Sequence, residues 1–120
     1  MTANETFAHA LKLPARVAVY VPGTTGAALP DTAAAQRMTD RAAAMLSGLF
    51  GGATITAADG AWVSNVHGLI REQINIVYAF GLAEQIDAAA EKILALAEQI
   101  KAEMQQEAVS VEIGGALYLV

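Results

Sequence analysis

The chain has no cysteine, which excludes disulfides, thiolate metal sites and cysteine nucleophiles and agrees with a reducing compartment. Histidine is nearly as scarce. His9 and His67 are the only two, and they form no pair at helical spacing that would hold a metal. Long apolar runs are missing as well: no stretch approaches the roughly 18 to 20 apolar residues that span a bilayer. Met1 to Pro14 lacks the basic start, apolar centre and small-residue cleavage site of a secretory leader. The expectation is a cytoplasmic protein with no membrane partner. Positive charge is also short, with seven Lys plus Arg against twelve Asp plus Glu and a formal net charge of −5. A surface of that sign repels a phosphate backbone, so nucleic acid is not an expected partner.

What the chain does have is apolar material, 55% of its 120 residues, enough for one continuous core in a domain of about 100 to 150 residues. We expect a single α+β domain over residues 1–120, with 1–15 as an N-terminal extension that holds at most a short helix. Arg16 to Val21 alternates Val17, Val19 and Val21 with Arg16, Ala18 and Tyr20, the period of a half-buried strand. Pro22, Gly23, Gly26 and Pro30 break the pattern until Asp31 or Thr32 caps a helix. Ala35, Met38, Ala42, Met45, Leu46 and Leu49 then recur at steps of three and four, until Gly51 and Gly52 stop them.

Ala53 to Ala58, an Asp59-Gly60 turn signal, Ala61 to Val63, a polar turn over residues 64–68 and the run Leu69 to Phe80 read as a β-hairpin. After Gly81, the residues Ile86, Ala90, Ile93, Ala97, Ile100 and Met104 make a second amphipathic helix, with the acids between Glu84 and Glu107 on its solvated face. Val109, Val111 and Ile113 alternate again, and Gly114-Gly115 turns Ala116 to Val120 back as a last strand.

The order β-α-β-β-α-β with an extra C-terminal strand matches the ferredoxin-like split β-α-β unit, an antiparallel sheet with both helices on one face. The first and third strands are central. Their inward residues are expected to be Val17, Val19 and Val21 with Ile70, Ile74 and Ile76. The open face would then carry Arg16, Tyr20, Thr54, Thr56, Arg71, Gln73, Asn75, Ser110 and Glu112. Such a face is solvated, covered by a partner, or used as a floor for a ligand. Tyr20 offers a stacking ring, Arg71 a fixed cation, and Gln73 and Asn75 two amides, which suits a polar or anionic small molecule.

Trp62, Asn65 and His67, near the hairpin tip, complete the expected ligand-binding set of Tyr20, Trp62, Asn65, His67, Arg71, Gln73 and Asn75. Each member also has a plain reading: a packing anchor for the tryptophan, a solvated loop histidine, a dimer interface or a wet sheet face. Catalytic groupings are poor. Ser64, His67 and Asp59 have the residue types of a nucleophilic triad but lack an elbow glycine pattern and evident oxyanion donors. A metal site from Asp59, His67 and Glu72 lacks ligand spacing. The loop Pro22-Gly23-Thr24-Thr25-Gly26 lacks the Gly-Lys-Ser/Thr of a phosphate loop and reads as a connection. No cofactor is expected.

Phe50-Gly51-Gly52-Ala53-Thr54, Gly60-Ala61-Trp62, Gly68-Leu69-Ile70-Arg71-Glu72 and Gln106-Glu107-Ala108-Val109 together resemble the pattern of a set of short bacterial and phage proteins of unknown function and ferredoxin-like fold. The resemblance covers about residues 16 to 120 and leaves out the first fourteen residues and the loop from Pro22 to Pro30. It carries no catalytic residues, which implies a protein that is not an enzyme. By loose analogy of size and context, small phage proteins include oligomers that sequester nucleotide immune signals. The resulting expectation is a non-enzymatic oligomer, a homodimer or larger even-numbered assembly, that binds a nucleotide-derived small molecule. The alternative is a structural or regulatory protein-protein interaction module.

Overall fold

The computed structural model describes residues 1–26 and 29–120, so Ala27 and Ala28 of the Pro22 to Pro30 loop lie outside the described residues. A single helical turn, α1 (Ala3–Thr6), is closed by a capping box in which Thr2 accepts from the Glu5 N–H and Glu5 accepts from Thr2. It buries no residue. Strand β1 (Ala15–Pro22) leads into a two-rung ribbon of β2 (Thr24–Thr25) and β3 (Leu29–Pro30). Asp31 then caps α2 (Thr32–Phe50), its side chain accepting from the Ala34 N–H at 3.0 Å. Gly51, at φ 89°, ends the helix in the left-handed conformation that glycine adopts without strain.

Strands β4 (Thr54–Ser64) and β5 (Gly68–Gly81) form a long hairpin, followed by α3 (Ala83–Glu103), β6 (Ser110–Ile113) and β7 (Ala116–Leu119). The sheet order is β4-β5-β1-β6-β7, and every neighbouring pair is antiparallel. Gly114 and Gly115 both have positive φ, which a tight hairpin turn between β6 and β7 requires. This is the expected α+β split β-α-β sheet with an extra C-terminal strand. Val17, Val19, Val21, Val77, Ala79 and Val111 of the sheet pack against Met38, Ala42 and Leu46 of α2 and Ile86, Ile93, Leu96 and Ile100 of α3. Both helices therefore cover the same sheet face.

Two details differ from expectation. Asp59 and Gly60 do not turn the chain; they pair with Gln73 and Glu72 inside β4, because the turn falls at residues 65–67, where the Ser64 hydroxyl accepts from the Val66 and His67 N–H groups. The second difference concerns the faces of β5. Directly opposed residues of an antiparallel pair share a face, and Val17, Val19 and Val21 oppose Ala79, Val77 and Asn75. Asn75 therefore points at the helices, where its Nδ2 donates to Thr39 Oγ1 of α2 at 3.1 Å. Ile70, Ile74 and Ile76 are on the open face, and Arg71, Gln73 and Asn75 are not. The expected assignment is reversed because β5 outruns the helix layer: only its C-terminal half lies under α2, so the alternation of its N-terminal half does not report the core.

Candidate functional site

Where the hairpin leaves the helix layer it forms one wall of an open cleft of about 1450 Å³. The other walls are Gly23, Thr24 and Gly26 of the strap that follows β1, the first turn of α2, and residues 105–108 after α3. Gly23 lets the strap touch β5, since a Cβ there would clash with the Gln73 carbonyl oxygen. Thr24 Oγ1 donates to Glu72 Oε2 at 3.3 Å, and Gln106 Nε2 donates to the Thr24 carbonyl at 2.9 Å.

Trp62, His67, Arg71, Gln73 and Asn75 all line this cleft, from its two sides. Arg71 and Gln73 share the helix-side face of the hairpin with Asp59, and Trp62 stands on the open side opposite Ile70 and beyond Gly60 and Glu72. Tyr20 and Asn65 are not among the lining residues. Tyr20 sits mid-sheet, its hydroxyl donating to Glu112 Oε1 at 3.2 Å. Glu112 Oε2 lies 3.3 Å from Arg16 Nε, in an ion pair without hydrogen-bond alignment. The Arg16 guanidinium stacks 4.1 Å from the centroid of Tyr78. Burial, followed by the charge of Glu112, pushes the Tyr20 hydroxyl pKa up.

The electrostatics of the cleft depart from the expectation of an anion site. Its ionised lining residues are Asp59, Glu72, Glu107 and Arg71, with no lysine. Arg71 is already engaged, its Nη2 3.4 Å from Asp59 Oδ2 in an exposed pair, so Glu72 and Glu107 leave the cleft negative. Asp59 and Glu72 point to opposite faces of the hairpin, so they do not converge on one metal with His67. Among the described residues, no group of three or more His, Cys, Asp or Glu is gathered as a metal site, and no helix is long and apolar enough to cross a membrane. Sequence reasoning missed Glu72, Thr24 and Gln106 as a group. Gln106 had been placed only in the residues that carry the resemblance, and the contact joining the three is tertiary.

No protein-family model matches the chain, and no curated protein matches it. Among solved structures it is similar to a phage SAM lyase in complex with S-methyl-5'-thioadenosine, with a TM-score of 0.62, 20% identity and 88% of each chain covered. A phage SAM lyase in the apo state gives a TM-score of 0.60 at 17% identity, over 88% of this chain and 87% of the other. CutA from Synechococcus elongatus gives 0.46 at 15% identity, over 85% and 76%. At such identities the likeness is one of fold, and the phage setting of the resemblance recurs in two of these structures. The expectation that the chain is not an enzyme is overturned by the same finding, because this fold, over 88% of the chain, is shared with an enzyme.

Proposed function

We propose that the cleft binds a sulfonium nucleoside of the S-adenosylmethionine class and releases S-methyl-5'-thioadenosine from it. The observation that carries this reading is the unmatched carboxylate Glu72, held by Thr24 in a cleft with no lysine. A cation is drawn to such a site and a phosphate is repelled. The nucleotide-derived ligand expected from the sequence is kept in its nucleoside part and changed in the sign of its charge. Trp62, 55% exposed, offers the base a stacking surface. Release of the thioether breaks the bond from sulfur to the side-chain Cγ, and the electron pair moves to sulfur, which becomes neutral, while an oxygen of the ligand's own α-carboxylate bonds to Cγ and closes that fragment to a five-membered lactone. The likeness of fold to SAM lyases supports the reading, although it extends to fold alone.

The cleft is larger than the roughly 300 to 1,000 Å³ of an enclosed small-molecule site, and Trp62, Val63, Val66 and Leu69 of the hairpin are exposed around it. We propose that a second copy of the chain covers them. Incubation with S-adenosylmethionine, followed by chromatography, is expected to show S-methyl-5'-thioadenosine, and Glu72→Gln, which removes the charge that attracts the sulfonium, should weaken substrate binding and cut release at low substrate by about 10-fold. A chain that leaves S-adenosylmethionine intact under every condition that keeps it folded would refute the enzymatic reading.

A further inference from the structure

Three chain segments meet in one row at the cleft. In the β1/β5 register, opposed numbers sum to 96 (Pro22 with Ile74), and in the β1/β6 register they sum to 130 (Val19 with Val111). Beyond those strand pairs the same sums, 96 − 24 = 72 and 130 − 24 = 106, name Glu72 and Gln106, which reach Thr24 by side-chain hydrogen bonds and not by strand pairing. The hydrogen bonds follow that row, Gln106 Nε2 to the Thr24 carbonyl at 2.9 Å and Thr24 Oγ1 to Glu72 Oε2 at 3.3 Å. The same Gln106 amide also donates to the Met104 carbonyl at 3.0 Å, and the Gly26 N–H donates to that carbonyl at 3.0 Å. One side chain thus ties the end of α3 to the strap on which Thr24 stands. The Glu72 carboxylate has no other hydrogen-bond partner among the described residues.

We propose that Gln106, acting through Thr24, is the positioning residue that aims the Glu72 carboxylate at the positive centre of the ligand. The inference rests on the reading of the cleft as a cation site. A carboxylate held by one hydroxyl on a tethered strap keeps a fixed orientation, whereas a free glutamate samples many rotamers and loses charge discrimination. Gln106 touches no ligand in this scheme. Its loss therefore acts first on discrimination between charged and neutral ligands.

The test compares two non-cleavable probes by calorimetry: sinefungin, whose amine carries the positive charge, and S-adenosylhomocysteine, whose sulfur is neutral. The wild-type chain is expected to favour sinefungin by about 10-fold, a ratio that Glu72→Gln abolishes. Gln106→Ala, Gln106→Glu and Thr24→Val should each reduce the ratio to about 3-fold or less, whatever they do to the affinity for S-adenosylhomocysteine itself, and Thr24→Ser, which keeps the hydroxyl, should retain it. A general structural role would weaken both probes equally and leave the ratio unchanged. Wild-type discrimination that survives in the Gln106 and Thr24→Val variants overturns the positioning role alone. Failure of the wild type to bind either probe overturns the cation-site reading, and the positioning role with it.

Discussion

Gln105 has φ 51°, a left-handed conformation that costs a side chain about 1 kcal/mol and is usually left to glycine. The surrounding bonds explain how it is held: the Gln106 N–H reaches the Lys101 carbonyl at 3.0 Å and the Gln105 N–H reaches the Ala102 carbonyl at 3.3 Å. This is the Schellman closure of α3, with glutamine in the glycine position. It also sets Gln106 where its amide meets Thr24. The Gln105 side chain is exposed, so Gln105→Gly should stabilise the chain by about 0.5–1 kcal/mol in urea unfolding. Destabilisation by that substitution would mean that the side chain, not the backbone, dominates there.

Tyr20 makes the second residue-scale prediction. Its hydroxyl is pushed above the ordinary tyrosine value of 10.0 by burial and by Glu112. The folded chain thus holds this proton more tightly than the unfolded chain. The associated stability is complete below the unfolded value, and it is lost as pH rises through the raised one. Urea midpoints measured from pH 8 to 11 should fall with increasing pH at the alkaline end, and Tyr20→Phe should flatten that fall. An equal fall in the variant would assign the alkaline instability to other groups.

At the scale of elements, β1, α2 and α3 were legible because each lies against the core and burial there imposes a period, and the terminal β6-turn-β7 unit was legible because Val109, Val111 and Ile113 alternate and Gly114-Gly115 marks its turn, although β7 itself is exposed. The hairpin was not. From Ile76 to Phe80 both faces of β5 are largely apolar, so alternation cannot choose the inward set. Farther out, Arg71 and Gln73 mark a face beyond the helices. Correcting the register makes the open face more apolar than expected: it carries Ile74, Ile76, Tyr78 and Phe80 of β5 with Leu117 and Leu119 of β7. Its charges Arg16 and Glu112 neutralise each other. A chain of net charge −5 can meet its own copy there without repulsion, and β7 is an uncharged edge. If this face is the interface, Ile76→Glu should lower the mass measured by light scattering to that of one chain. A wild-type chain that is already monomeric at tens of micromolar would refute self-association through this face.

For the molecule as a whole, the projecting hairpin, the strap after β1 and the closing turn of α3 converge on one place, and the charge there is negative. Five of the seven residues singled out from the sequence line that cleft. The sign of its ligand was not legible, because Arg71 read alone is a free cation, and only the fold sets it against Asp59. The cleft is proposed to select a cationic nucleoside. Calorimetric titration of the wild-type chain with S-adenosylmethionine and, separately, with adenosine monophosphate tests it most directly, since the two share a nucleoside and differ in charge. Saturable binding of S-adenosylmethionine is expected, with at least about 10-fold weaker binding of the monophosphate, and tighter binding of the monophosphate would contradict selection of a cation.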